Sequence, residues 1–118
     1  MQIRPKNQID EHLIKRLREE SYKGSAIWKK VADDLNVPTR ERKIVNLARI
    51  NRFTSDNEVV VVPGKVLASG DLGRKITIAA LRFSEGSIEK IKSSGSSAIS
   101  IEELMKKNPS GKGIKIIG

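Results

Sequence analysis

The chain contains no cysteine, which excludes a disulfide framework and any cysteine-ligated zinc site and is compatible with the cytosol. Aromatic residues make up only 3% of it, one tryptophan, one tyrosine and two phenylalanines. Base-stacking platforms of the kind single-strand binders use are not expected, so nucleic-acid binding would rest on charge and shape. The single histidine, His12, sits near the edge of an apolar helical stripe with no thiol to pair with, and reads as a packing or surface residue. Glu19-Glu20, Asp33-Asp34 and Glu102-Glu103 are sequence neighbours. Adjacent helical side chains point about 100° apart, so none of these pairs converges on one proton by local geometry. No acid and histidine cluster has metal-ligand spacing. Apolar runs are no longer than the four valines 59–62, far short of a membrane span, and residues 1–7 lack the apolar core of a secretory signal. Catalysis, cofactor, metal, membrane span and small-molecule substrate are all without a residue set to support them.

Positive charge is abundant. Among 118 residues, 23 Lys and Arg oppose 14 Asp and Glu, a formal charge of +9. Such a balance favours a polyanionic partner, nucleic acid or an anionic membrane. The excess is uneven: residues 1–52 hold 13 basic against 7 acidic residues, residues 53–118 hold 10 against 7. Arg4 and Lys6 belong to a polar tip that reads equally as a disordered end or as a basic tail ordered by RNA.

Residues 38–53 concentrate the signal. Arg40, Arg42, Lys43, Arg49 and Arg52 fall there with Asn46 and Asn51, and Glu41 is the only acid. Pro38 followed by Thr39 is a helix start signal, which predicts one helix to about Phe53. On that helix Ile44, Leu47, Ala48 and Asn51 gather on the core side. Arg42, Arg49 and Arg52 face outward, with Val45, Asn46 and Phe53 among them. Asn51, on the apolar side, is expected to cap or pack.

Two helices are expected before it. Leu13, Ile14 and Leu17, with Ile9, mark one from about Asp10 to Tyr22. Ser25 can cap the other, whose face is Ile27, Trp28, Val31, Ala32 and Leu35, with Trp28 in the core. Residues 54–57 form a polar turn that divides a basic helical segment, 1–53, from an α/β segment, 54–118, the two expected to form one compact unit. Val59–Val62 reads as a strand buried on both faces. Val62–Lys65 reads as a type II turn, with Val66-Leu67 as a further short strand. Lys75–Phe83 is the next strand. Ser84 caps a weak helix anchored by Ile88 and Ile91, Ala98-Ile99 is a brief strand, Ser100 and Glu103 have capping-box spacing for a helix 101–107, and 113–117 is a last strand. The fold class is α/β, mixed: an N-terminal three-helix segment followed by a compact domain of irregularly wound short strands and helices.

Two glycine-containing loops fail as nucleotide motifs. Five positions before Gly111 stands Lys106 rather than glycine, and Gly113 rather than Ser or Thr follows Lys112. Gly70-Asp71-Leu72-Gly73 lacks the dinucleotide fingerprint.

The pairing of RKIVNLARINRF (42–53) with VVVVPGKVLASGDL (59–72) resembles one family, and the likeness continues through KITIAALRFS (75–84) and AISIEELMKKNPSGKGIKII (98–117). That family is the archaeal and eukaryotic large-subunit ribosomal protein eighteen (e-type), related to the bacterial large-subunit protein fifteen. Thr39 stands where many members carry a basic residue. The resemblance implies a structural constituent of the large subunit, cytoplasmic within the ribosome, archaeal because eukaryotic relatives are longer, and an irregular β-β-α winding. Its implied partners are large-subunit ribosomal RNA and neighbouring ribosomal proteins. The expected RNA contacts are Arg40, Arg42, Lys43, Asn46, Arg49 and Arg52, then Lys65 and Lys112 on loops. Two rival readings follow from the residues alone. One is a DNA-binding regulator with the third helix in a major groove; the other is a small enzyme or nucleotide module, which lacks pocket chemistry.

Overall fold

Four valines in a row leave no polar face, and a strand built from them must be covered on both sides. The computed structural model, which describes residues 8–23 and 26–118, has that arrangement. Along the chain come helices α1 (Gln8–Ser21) and α2 (Ala26–Leu35), a 3₁₀ turn (Thr39–Glu41), strand β1 (Lys43–Asn46) and helix α3 (Leu47–Arg52). Then follow β2 (Val59–Leu67), β3 (Thr77–Phe83), α4 (Glu85–Ser93), β4 (Ser97–Ser100), α5 (Ile101–Lys107) and β5 (Ile114–Ile116). The basic tail at 1–7 and the cap expected at Ser25 lie outside the described residues, as do the side chains of Ile9 and Thr39.

Every strand pairing among the described residues is parallel. β2 is central: β3 lies along one edge with β4 beyond it, while the other edge is shared. β5 takes its first part, Val59–Val61, and β1 takes its last part, Gly64–Leu67. One face is covered by α1, α2 and α5, whose Leu17, Trp28, Val31, Leu35, Ile101 and Leu104 cluster with Val61 and Ala79. On the other face Leu47, Ile50 and Ile91, from α3 and α4, cluster with Val60, Val62, Val66, Ile78 and Ala80. The mixed α/β class thus takes the form of a three-layer sandwich.

Local chemistry sets the helix boundaries. The Ser84 hydroxyl accepts the Ser87 amide at 3.2 Å, and the Ser100 hydroxyl accepts that of Glu103 at 3.0 Å, each satisfying a first-turn donor. Trp28 is fully buried and its indole N–H donates to the Pro109 carbonyl at 2.7 Å, so the core assignment holds.

Two expected elements differ. Residues 39–53 are not one helix: they divide into turn, strand and a six-residue helix, because residues 43–46 satisfy their backbone groups by pairing with β2. The N-terminal part therefore consists of two full helices and a strand–helix unit. Val62–Lys65 is not a reversing turn either. β2 runs through it, and the register with β3 moves from Val62↔Ala80 to Lys65↔Arg82, so Pro63-Gly64 absorb one extra residue as a bulge.

Candidate nucleic-acid interface

The β1–β2 contact begins where a side chain is missing. Lys43 pairs with Gly64, and a Cβ at Gly64 would stand 2.0 Å from the Lys43 carbonyl oxygen. Beyond that point Ile44 is level with Lys65, and Lys65 with Arg82, forming a row across β1, β2 and β3. The next row, Val45, Val66 and Phe83, packs with the α3–α4 core. Because strand side chains alternate, Ile44, Lys65 and Arg82 share the opposite face. All three are exposed, Ile44 to 64%.

α3 continues the cationic surface. Leu47 and Ile50 point into the core, and Arg49 and Arg52 are left outward. Asn46 holds the N-cap position but makes no side-chain capping bond, and it is exposed. The Arg49 guanidinium lies over the Phe53 ring, 5.1 Å from its centroid, which fixes the charge beside an exposed aromatic. Asn51 packs, as expected: its side-chain oxygen accepts the Gly73 amide at 2.9 Å, and its carbonyl accepts from Arg74 at 2.9 Å. The end of the helix is tied to β5 by Lys115, which donates to the Phe53 carbonyl at 2.8 Å.

Arg42 departs from its expected place. It is 8% exposed, and its Nε donates to the carbonyl of Leu35, the last residue of α2, at 3.2 Å. An arginine there satisfies a helix-terminal carbonyl and meets the negative end of the dipole. A helix over 39–53 would have aligned Arg42 with Arg49 and Arg52; the turn and strand direct it inward instead. The same change reverses its neighbours, since Val45 is buried to 2% exposure while Ile44 faces out.

Arg40 is exposed on the 3₁₀ turn, beside this surface in sequence. Lys112 is exposed too, but on the α5–β5 loop, held by Asn108 donating to the Lys112 carbonyl at 3.0 Å. That loop precedes Ile114, which pairs with Val59, and so lies at the other end of β2 from Lys65. The fold joins Lys43 and Lys65 across one strand pair and sets Lys112 apart.

Ion pairing separates two populations of cations. On the helices, Lys29–Asp33 at 3.1 Å, Lys30–Asp34 at 2.9 Å and Lys107–Glu103 at 3.3 Å join neighbours one turn apart, and Arg16 pairs with Glu102. Lys115 reaches Glu58 at 3.2 Å, and Lys90 is spent on the Ala68 and Gly70 carbonyls at 2.9 and 2.7 Å. By contrast Arg40, Lys43, Arg49, Arg52, Lys65 and Lys112 form no ion pair among the described residues. Sequence reasoning missed Arg82; a lone arginine between Leu81 and Phe83 in an apolar strand was the available signal. His12 is exposed on α1, and no group of three or more His, Cys, Asp or Glu that could hold a metal occurs among the described residues. No described helix is long and apolar enough to cross a membrane.

The profile of the family described as "Ribosomal protein 60S L18 and 50S L18e" matches residues 11–118. The chain belongs to that family. Relatives called large ribosomal subunit protein eL18 include one from Methanothermobacter thermautotrophicus, 44% identical over 89% of this chain and 88% of its own length. Those from Archaeoglobus fulgidus, at 44% over 89% of this chain and 91% of the relative, and Methanococcus maripaludis, at 43% over 89% and 88%, are similar. Membership in a ribosomal protein family removes the enzyme reading. The DNA-reader loses its physical basis as well, since the six residues of α3 are under two helical turns.

Proposed function

We propose that the chain is a structural constituent of the large ribosomal subunit, cytoplasmic within the ribosome, and that it binds and organises ribosomal RNA through the surface made by β1, α3 and the end of β2. Family membership and the archaeal large-subunit relatives support the first part. The observation that carries the second is the division of the cations: Arg16, Lys29, Lys30, Lys106 and Lys107 on the outer helices are held by carboxylates, whereas Lys43, Lys65, Arg49 and Arg52 are exposed and form no ion pair among the described residues. Each can neutralise a phosphate without first breaking an ion pair to a carboxylate of the described residues. Asn46 adds an amide able to reach ribose or a base edge, and Arg40 and Lys112 supply outlying charge. Arg42 supports this surface from beneath by closing the end of α2.

The mechanism is electrostatic and geometric. A rigid sandwich presents fixed cations to folded RNA, offsets repulsion between nearby phosphates and holds RNA helices in register during assembly. The reading of 1–53 and 54–118 as one unit is supported by β1, which contributes a strand from the first segment to the sheet of the second. Sedimentation of the endogenous protein tests the assignment: it should travel with large subunits and leave in high salt. Co-expressed with wild type, the Lys43→Gln/Arg49→Gln/Arg52→Gln variant should fold normally by circular dichroism and be under-represented in large subunits. Incorporation at parity would place the RNA contacts elsewhere.

A further inference from the structure

Where β1, β2 and β3 run level, the outward face of the sheet is hollowed into a groove of about 200 Å³ lined by Arg42, Lys43, Ile44, Lys65, Leu81 and Arg82. Its walls are mainly apolar, from Ile44, Leu81 and the aliphatic stems of the basic side chains, and every ionisable residue lining it, among the described residues, is a cation. We propose that this groove receives one unstacked nucleobase of the ribosomal RNA, with the phosphates flanking that nucleotide on Lys43, Lys65 and Arg82. The inference rests on the RNA-binding reading above and adds to it a base contact made without aromatic side chains.

Three features select this occupant. The groove is smaller than the roughly 300–1,000 Å³ of sites that enclose drug-sized ligands, which suits a single planar ring system rather than a helix or a run of peptide. Ile44, 64% exposed, is apolar surface that a base can cover, and it lies level with Lys65, whose ammonium suits the phosphate of the same nucleotide. The lining carries Arg42, Lys43, Lys65 and Arg82 and, among the described residues, no acid, so charge complementarity favours a polyanion over a basic segment of a neighbouring protein. RNA supplies such a base at a bulge or loop, where unpaired bases can splay out and stack on apolar or guanidinium surfaces.

Zero-length ultraviolet cross-linking of native large subunits, followed by peptide mass spectrometry, tests this on the unmodified protein. Nucleotide adducts are expected on peptides containing Lys43-Ile44, Lys65 or Arg82, and a photoreactive side chain placed at position 44 should map by primer extension to one unpaired ribosomal RNA position. If the protein sediments with large subunits but position 44 cross-links to a neighbouring protein, to paired RNA or to nothing, the groove is not a base site and the RNA-binding reading survives. If the protein does not sediment with large subunits, that reading falls and the groove proposal falls with it.

Discussion

At the scale of single residues, Gly64 and Glu58 carry consequences out of proportion to their size. Gly64 is the only residue type that lets β1 approach β2, because any side chain would meet the Lys43 carbonyl at 2.0 Å. Backbone cannot yield as a flexible side chain would, so Gly64→Ala must push the strands apart. The expected loss is about 3 kcal/mol in urea denaturation. A variant within ~0.5 kcal/mol of wild type would mean that β1 does not pair here. Glu58 works through charge: its carboxylate accepts the Ser55 amide and a bond from Lys115, and these hold its pKa below the usual carboxylate value, Ser55 being the larger cause. A lowered pKa stabilises the fold above the ordinary carboxylate range, and that contribution is lost as pH falls through the lowered value. Glu58→Gln should therefore have a lower urea midpoint than wild type at neutral pH, with the gap closing on acidification. A gap independent of pH would assign the effect to packing.

Among the elements, β1 decides how the molecule is built and was the least legible from sequence. The second helix, the buried valine strand, and the caps at Ser84 and Ser100 each carry a local signature, a 3.6-residue stripe, a β-branched run or a serine at an N-cap, and the fold contains them. Residues 43–46 have none. Their apolar positions continue the period of Leu47 and Ala48 into a plausible helix, whereas strand formation depends on Gly64–Leu67, some twenty residues downstream. The candidate site was accordingly legible in composition but not in arrangement. Lys43, Arg49 and Arg52 were recognisable as a basic group, while the burial of Arg42 and the alignment of Ile44, Lys65 and Arg82 arise from tertiary pairing. Paired substitutions separate the two geometries. In the strand, Val45→Ala should cost about 2 kcal/mol and Ile44→Ala less than about 0.5; a helix over 39–53 reverses that order. Urea denaturation of the two variants reads the difference directly.

For the whole molecule, the net charge of +9 conceals two populations. Cations on α1, α2 and α5 stand one turn or one helix away from carboxylates, and exposed pairs of this kind contribute only tenths of a kcal/mol to stability while neutralising their own field. The edge formed by β1 and α3 has no such acids in ion-pair reach among the described residues, so the cations of that edge keep their full field. Binding to deproteinised large-subunit RNA should then depend steeply on salt, because each neutralised phosphate releases condensed counterions. Replacing Lys43, Arg49, Arg52 and Lys65 by glutamine, one after another, should flatten the plot of log affinity against log salt by about 0.7–0.9 for each phosphate left without its cation. Lys29→Gln with Lys30→Gln removes half as much charge as the full set, and should leave that slope unchanged because both ammonium groups face their own aspartates. Equal flattening per charge in the two series would mean that the RNA senses only total charge, and that the sorting of cations by the fold has no part in recognition.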